Sequence, residues 1–185
     1  RFDGKNEQSL EIYKRGLAVS PQWIPGLAGQ GLCLANLEKP AEGEAVLRQA
    51  MKIDPRSHLV FWNLGLVQKQ EGHFADAAKS LRQAMEVEPT DAATAISLSH
   101  VLLQLHDPSA AQLILRKTLE KGGDKALLLA ELGAQQLQAG ENQEALKTLV
   151  EARKHNRDDP QVLGNLGMAY AMTGSLPSAI GIFEE

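Results

Sequence analysis

Five histidines, His58, His73, His100, His106 and His155, are the residues best suited to metal or proton chemistry, yet no two lie three or four positions apart. A helix aims two imidazoles at one ion only at that spacing. They read as surface and turn residues. The single Cys33 has no other cysteine to pair with and no Cys or His at ligand spacing, so it reads as a small buried hydrophobe. The segment GLAGQG, Gly26 to Gly31, has the glycines of a nucleotide loop without the fingerprint spacing or a preceding strand. It reads as helix packing. The chain also lacks a phosphate-binding P-loop, a Gly-x-Ser-x-Gly elbow and an Asn-x-Ser/Thr acceptor. The expectation is a protein that is not an enzyme, with no catalytic residue, cofactor or metal.

The elements that could position any functional side chain follow from composition. The 185 residues are 43% hydrophobic but only 4% aromatic, so burial rests on Ala and Leu, which form helices readily and let them pack closely. Nineteen basic and 23 acidic residues, net −4, are scattered without blocks, which excludes the electrostatic footprint of a DNA, RNA or anionic-lipid binder. No apolar run approaches the roughly 18 residues that cross a bilayer. The expectation is a soluble chain without membrane insertion, cytoplasmic or periplasmic, and a fragment of something longer because it opens at Arg1.

Order along the chain is periodic. Pro21, Pro55 and Pro89 fall 34 residues apart, each after a similar run, and the register continues to Gly123 and Arg157. Gly31, Gly65, Ser99, Gly133 and Gly167 form a column inside one helix of each repeat, where Gly costs about 1 kcal/mol unless packing offsets it. Small residues also hold two further columns, Ser9, Gly43, Ala77, Ala111, Ala145, Ala179 and Gly16, Ala50, Ala84, Thr118, Ala152. Between those two runs the bulky column Tyr13, Leu47, Leu81, Leu115, Leu149, Phe183. Large and small residues therefore interdigitate between helices. Gly4, Gly72, Gly140 and Gly174 mark turns between first and second helices, with Glu38 and His106 in the same slot elsewhere. Asp158 or Asp159 is placed to cap the helix that follows.

These columns resemble the tetratricopeptide repeat. In FWNLGLVQKQEGHFADAAKSLRQAMEVEP the matching residues are Phe61, Leu64, Gly65, Ala77, Leu81, Ala84 and Pro89. In PQVLGNLGMAYAMTGSLPSAIGIFEE they are Leu163, Leu166, Gly167, Tyr170, Ala179 and Phe183. Ser99 replaces the usual Gly, Gln30 the usual Leu, and Gln68 and Gln136 the usual Tyr. The resemblance covers essentially the whole chain. It implies an all-α fold, a right-handed α-solenoid of stacked helix-turn-helix hairpins, with a partial repeat over 1–23, repeats over 24–57, 58–91, 92–125 and 126–159, and a truncated repeat over 160–185.

In such a family first helices line a concave groove that holds a peptide or protein segment. The residues this places there are Leu59, Trp62, Asn63, Leu66 and Lys69, then Ile96, Ser97, His100 and Leu103, then Glu131 and Leu137, then Asn165, Met168 and Met172. Leu127 belongs to the same face. Lys69 is the one base among the groove positions, which argues against a clamp for a C-terminal carboxylate and for a partner with apolar anchors. Asn63 and Asn165 stand where similar repeats grip a peptide backbone. Trp62 is either an anchor or a space filler. The leading expectation is a protein-interaction scaffold; the alternatives are a docking arm of a larger glycosyl-transfer enzyme or secretion and polysaccharide-export machine, and a scaffold that self-associates end to end.

Overall fold

A computed structural model describes residues 3–184; Arg1, Phe2 and Glu185, at the two ends of the repeat frame, lie outside the described residues. Eleven helices and no strand are found among the described residues: α1 (Asp3–Val19), α2 (Ile24–Asn36), α3 (Pro40–Ile53), α4 (His58–Gln70), α5 (Phe74–Val87), α6 (Ala92–Gln104), α7 (Pro108–Glu120), α8 (Lys125–Gln138), α9 (Asn142–His155), α10 (Pro160–Met172) and α11 (Leu176–Phe183). The fold is all-α, helical hairpins joined by short turns. Gly4 departs from expectation: it lies in the first turn of α1, which runs on unbroken, so it separates no two described helices.

The turns explain the glycine slot. Gly72, Gly140 and Gly174 have φ of 79°, 76° and 85°, and Glu38 and His106 take the same left-handed conformation at 61° and 59°. At four of them, all but His106, the residue that follows returns to the helix just ended: His73 N–H donates to the Gln68 carbonyl, Lys39 to Leu34, Glu141 to Gln136 and Ser175 to Tyr170, all at 2.8–2.9 Å. Carbonyls orphaned at the helix end are thereby satisfied. Between hairpins the signal is proline. Asp54 and Glu88, each just before a proline, leave the helical region at φ −127° and −125°, ending α3 and α5.

The described helices form two compact units, Arg1–Pro89 with His100–Leu105, and Thr90–Ser99 with His106–Glu185. In the first unit α2 packs on α3 and α4 on α5, while α4 also packs on both α2 and α3. Ala28, Ala35, Leu47, Leu64 and Val67 form one buried cluster there, and Leu27, Ala50 and Val60 another. In the second unit α8 pairs with α9 and α10 with α11, and α10 packs back on α8 and α9 around Ala145, Leu149, Leu166, Ala169 and Ile182. A hairpin has too little apolar surface to bury alone, so each is stabilised by its neighbour.

The glycines of GLAGQG each meet a bulky neighbour. Gly26 lies against the Trp23 indole, Gly29 against the Tyr13 ring, and a methyl on Gly31 would come 2.6 Å from Leu47 Cγ. Close approach of α1 and α3 to α2 explains Gly29 and Gly31, while Gly26 makes room for the Trp23 ring at the start of its own helix. Trp23 and Tyr13 themselves meet with ring centroids 6.1 Å apart, tilted by 46°.

Candidate partner-binding face

First helices in this fold are α2, α4, α6, α8 and α10, and their two faces have different fates. One face is drawn into the hairpin: Leu64 and Gly65 on α4, Leu132 and Gly133 on α8, Leu166 and Gly167 on α10 are buried. What remains open is the candidate surface.

In the first unit Trp62, Leu66 and Lys69 are half-buried on α4, and His100 and Leu103 are half-buried at the end of α6. The Trp62 indole N–H is enclosed without a hydrogen-bond partner. Leu59 packs against the Ala28/Leu47/Leu64 cluster and so belongs partly to the core. Asn63 departs further from the exposed position expected for it. It is 3% exposed, and its Nδ2 donates to the Leu59 carbonyl at 2.9 Å, one turn back on the same helix. An amide so committed serves its own helix.

In the second unit Ile96 and Ser97 are half-buried on α6, and the Ser97 hydroxyl donates to the Ala93 carbonyl at 2.8 Å. Glu131 on α8 is half-buried and accepts from Gln135 Nε2 at 2.8 Å. Leu137 packs on the α9/α10 cluster. Asn165 is half-buried, whereas Met168 and Met172 on α10 are 47% and 58% exposed and Leu127 on α8 is 51% exposed. Met168 and Met172, one turn apart, put two exposed thioethers on α10, and Leu127 is exposed near the start of α8.

The sequence reading missed a set of buried polar contacts. Gln68, 5% exposed, accepts from the Ser80 hydroxyl at 2.7 Å and donates to Glu44 at 3.1 Å, and Arg48 donates to the same Glu44 oxygen at 2.9 Å. In the other unit Gln135 Nε2 reaches Ser99 Oγ at 2.9 Å. The available signal was the departure from the repeat pattern, a Gln in the Tyr column and a Ser in the Gly column. The histidines also acquire partners: His58 Nδ1 lies 3.7 Å from Glu88 Oε2, and His155 Nε2 lies 3.6 Å from Glu151. His58 is half-buried, unlike the surface residue expected.

Two groups are perturbed by their surroundings. The hydrogen bond from Lys154, and then its charge, hold the Glu151 carboxyl below its ordinary value. Burial pushes the Cys33 thiol up, in keeping with a buried hydrophobe.

Paired helices of thirteen or fourteen residues, left-handed turns and small-residue columns define a helical-repeat protein of the kind that presents a surface to partners. The chain belongs to the tetratricopeptide repeat family, whose pattern matches residues 34–173. It is similar to a probable UDP-N-acetylglucosamine–peptide N-acetylglucosaminyltransferase SPINDLY of Hordeum vulgare, 22% identical over 185 residues, covering 100% of this chain and 17% of that protein. The chain thus spans less than a fifth of that relative. Among solved structures it is similar to pilF of Pseudomonas aeruginosa, with a TM-score of 0.77 at 17% identity, covering 97% of this chain and 82% of that one. It is also similar to YrrB, a tetratricopeptide protein with an unusual peptide-binding site, with a TM-score of 0.65 at 15% identity, covering 95% and 90%. These structural likenesses carry the fold. Among the described residues no helix is long and apolar enough to cross a membrane.

Proposed function

We propose that this chain is a protein-interaction scaffold that binds a segment of a partner protein on its first helices and contributes no chemistry of its own. The observation that carries this reading is the exposure of Leu127, Met168 and Met172, at 51%, 47% and 58%, on first helices whose opposite faces are buried. Large apolar side chains lose water contact favourably, about 25 cal/mol per Å² covered, and so anchor a partner with apolar side chains. Trp62, Leu66, Lys69, His100 and Leu103 supply the corresponding surface of the other unit, and Asn165 the polar contact beside the methionines. Asn63, Leu59 and Leu137 support that surface from behind.

Capture of partners from an extract of the producing cells tests this. The chain carrying Met168→Ser and Met172→Ser should fold, since both side chains are exposed, and should lose its partner. Trp62→Ala should weaken capture. Undiminished capture by all three variants would place the interface elsewhere.

A second reading is favoured by the barley relative, which aligns along the whole chain: these repeats serve as the docking arm of a larger glycosyl-transfer enzyme. In that reading the partner is the enzyme's protein substrate. The complete open reading frame tests it, because a glycosyl-transfer domain must lie on the same polypeptide.

A further inference from the structure

Between the second helices α3 and α5, over the middle of α4, the first unit has a cleft of about 240 Å³. It faces away from the residues proposed above as the binding surface, and its lining is unlike theirs. Its lining includes the apolar Met51 and Leu64; Gln68 and Ser80, both buried, form the floor with Leu64, while the half-buried Gln83 and exposed Lys79 lie nearer the mouth.

The floor is neutral but rich in unused hydrogen bonding. Arg48 is paired with Glu44, and the same carboxylate oxygen takes one hydrogen of the Gln68 amide. The Ser80 hydroxyl gives its hydrogen to Gln68 Oε1 at 2.7 Å, which leaves the lone pairs of Ser80 Oγ for a donor. The second hydrogen of Gln68 Nε2 is left for an acceptor. A group that both donates and accepts at one atom suits this floor. A hydroxyl does. With Arg48 paired to Glu44, the remaining charged lining is one Lys79 and one Asp76, so the cleft offers no net charge to select a charged group.

The fold shows what fits such a slot. Tyr170 occupies on α10 the place that Gln68 occupies on α4, three periods of 34 residues earlier in the chain. Its ring packs against the cluster of Ala145, Leu149, Leu166 and Ala169 formed with the preceding second helix, α9. In the first unit a glutamine takes that place and space remains open to solvent. The floor residues are nevertheless buried, at 5% and 4% exposure, and are held in fixed orientation by the hydrogen bonds to Glu44 and between themselves.

We infer that the cleft above Gln68 is a second binding site, which receives the phenol ring of a tyrosine presented by a partner peptide. The ring lies between Met51 and Leu64, where a thioether meets an aromatic edge favourably. The phenol hydroxyl donates to Ser80 Oγ and accepts from Gln68 Nε2. Gln83 at the mouth is placed to bond the peptide backbone.

The test uses the whole chain, ¹⁵N-labelled, titrated with N-acetyl-tyrosinamide. Saturable shifts are expected at Arg48, Met51, Gln68, Ser80 and Gln83, with a Kd on the order of millimolar for so small a probe. N-acetyl-phenylalaninamide should bind at least about tenfold more weakly, the loss of two hydrogen bonds. Gln68→Tyr should fill the cleft from within and abolish the shifts. Ser80→Ala, a smaller change, should keep binding but reduce the preference for the phenol, since the bond from Gln68 Nε2 remains. Shifts that do not saturate, that centre elsewhere, that persist in Gln68→Tyr, or that show no preference for the phenol in the unaltered chain would overturn the proposal. Met168→Ser with Met172→Ser should leave this titration unchanged, which separates it from the proposed first-helix surface.

Discussion

Gly133 lies directly beneath Leu149: a methyl group on its Cα would stand 2.6 Å from Leu149 Cγ, closer than two carbons can approach. The same relation joins Gly65 to Leu81 and Gly31 to Leu47, each at 2.6 Å. A leucine of the second helix seats directly on the backbone of the first here, and the small residue is the condition for it. Gly133→Ala should therefore cost about 1–3 kcal/mol, the usual effect of overpacking, although alanine is the better helix former. Gly164, also within a first helix, has no such neighbour within 4 Å, so Gly164→Ala should instead stabilise by about 0.5–1 kcal/mol. Urea unfolding midpoints decide the matter; shifts of the same sign would refute the packing argument.

Glu38 and His106 sit in the turn slot that glycine fills elsewhere, at φ of 61° and 59°. A side chain in that conformation meets its own backbone at a cost of roughly 1–2 kcal/mol, part of which glycine returns as chain entropy. Glu38→Gly and His106→Gly should each raise stability by about 0.5–1 kcal/mol. Gly140→Ala, at φ of 76°, should lower it. Thermal denaturation of the three variants reads the sign directly.

Asp159 starts α10: its Oδ1 accepts from the backbone N–H of Gln161 at 2.9 Å and of Val162 at 3.1 Å. Asp158 is exposed and makes no such bond to α10. Removing a cap of this kind costs about 1 kcal/mol. Asp159→Ala should show that loss in a denaturant titration, and Asp158→Ala should show almost none.

Glu151 titrates below its ordinary value because Lys154 donates to it at 2.7 Å. Its folded pKa lies below its unfolded one, so the pairing is present above the unfolded value and is lost as pH falls through the folded value. Both side chains are largely exposed, which keeps the effect on stability small. In Lys154→Gln the carbon-detected titration midpoint of the Glu151 carboxyl should move up. An unmoved midpoint would show that the ammonium is not the cause.

Much of the architecture is legible from local rules. A period of 34 residues, helix-forming runs of fixed length and a turn slot at one phase require only contacts within a hairpin, and these repeat along the chain. The small column of Gly65 and Gly133 and the bulky column of Leu81 and Leu149 were legible as columns that interdigitate, while which glycine meets which leucine was decided by the packing of the helices. The turn slot likewise predicted turns at Gly72, Gly140 and Gly174, with Glu38 and His106 in their place, and the structure shows all five left-handed. Gly4 broke the rule because a glycine permits a turn without imposing one.

By itself the sequence determined the helical class, the phase of its repeats and the absence of charge patterning for nucleic acid, since each depends on residue type and spacing alone. The tertiary structure decided which part of each first helix stays open. Asn63 and Leu59 turned inward and Met168 outward because neighbouring helices, contributed by residues some 20 to 35 positions away, cover one flank and leave the other. Gln68 met Glu44 and Ser80, and Gln135 met Ser99, by the same close packing. Burial and the hydrogen bonds between helices belong to the arrangement of helices in space, and no single helix encodes them.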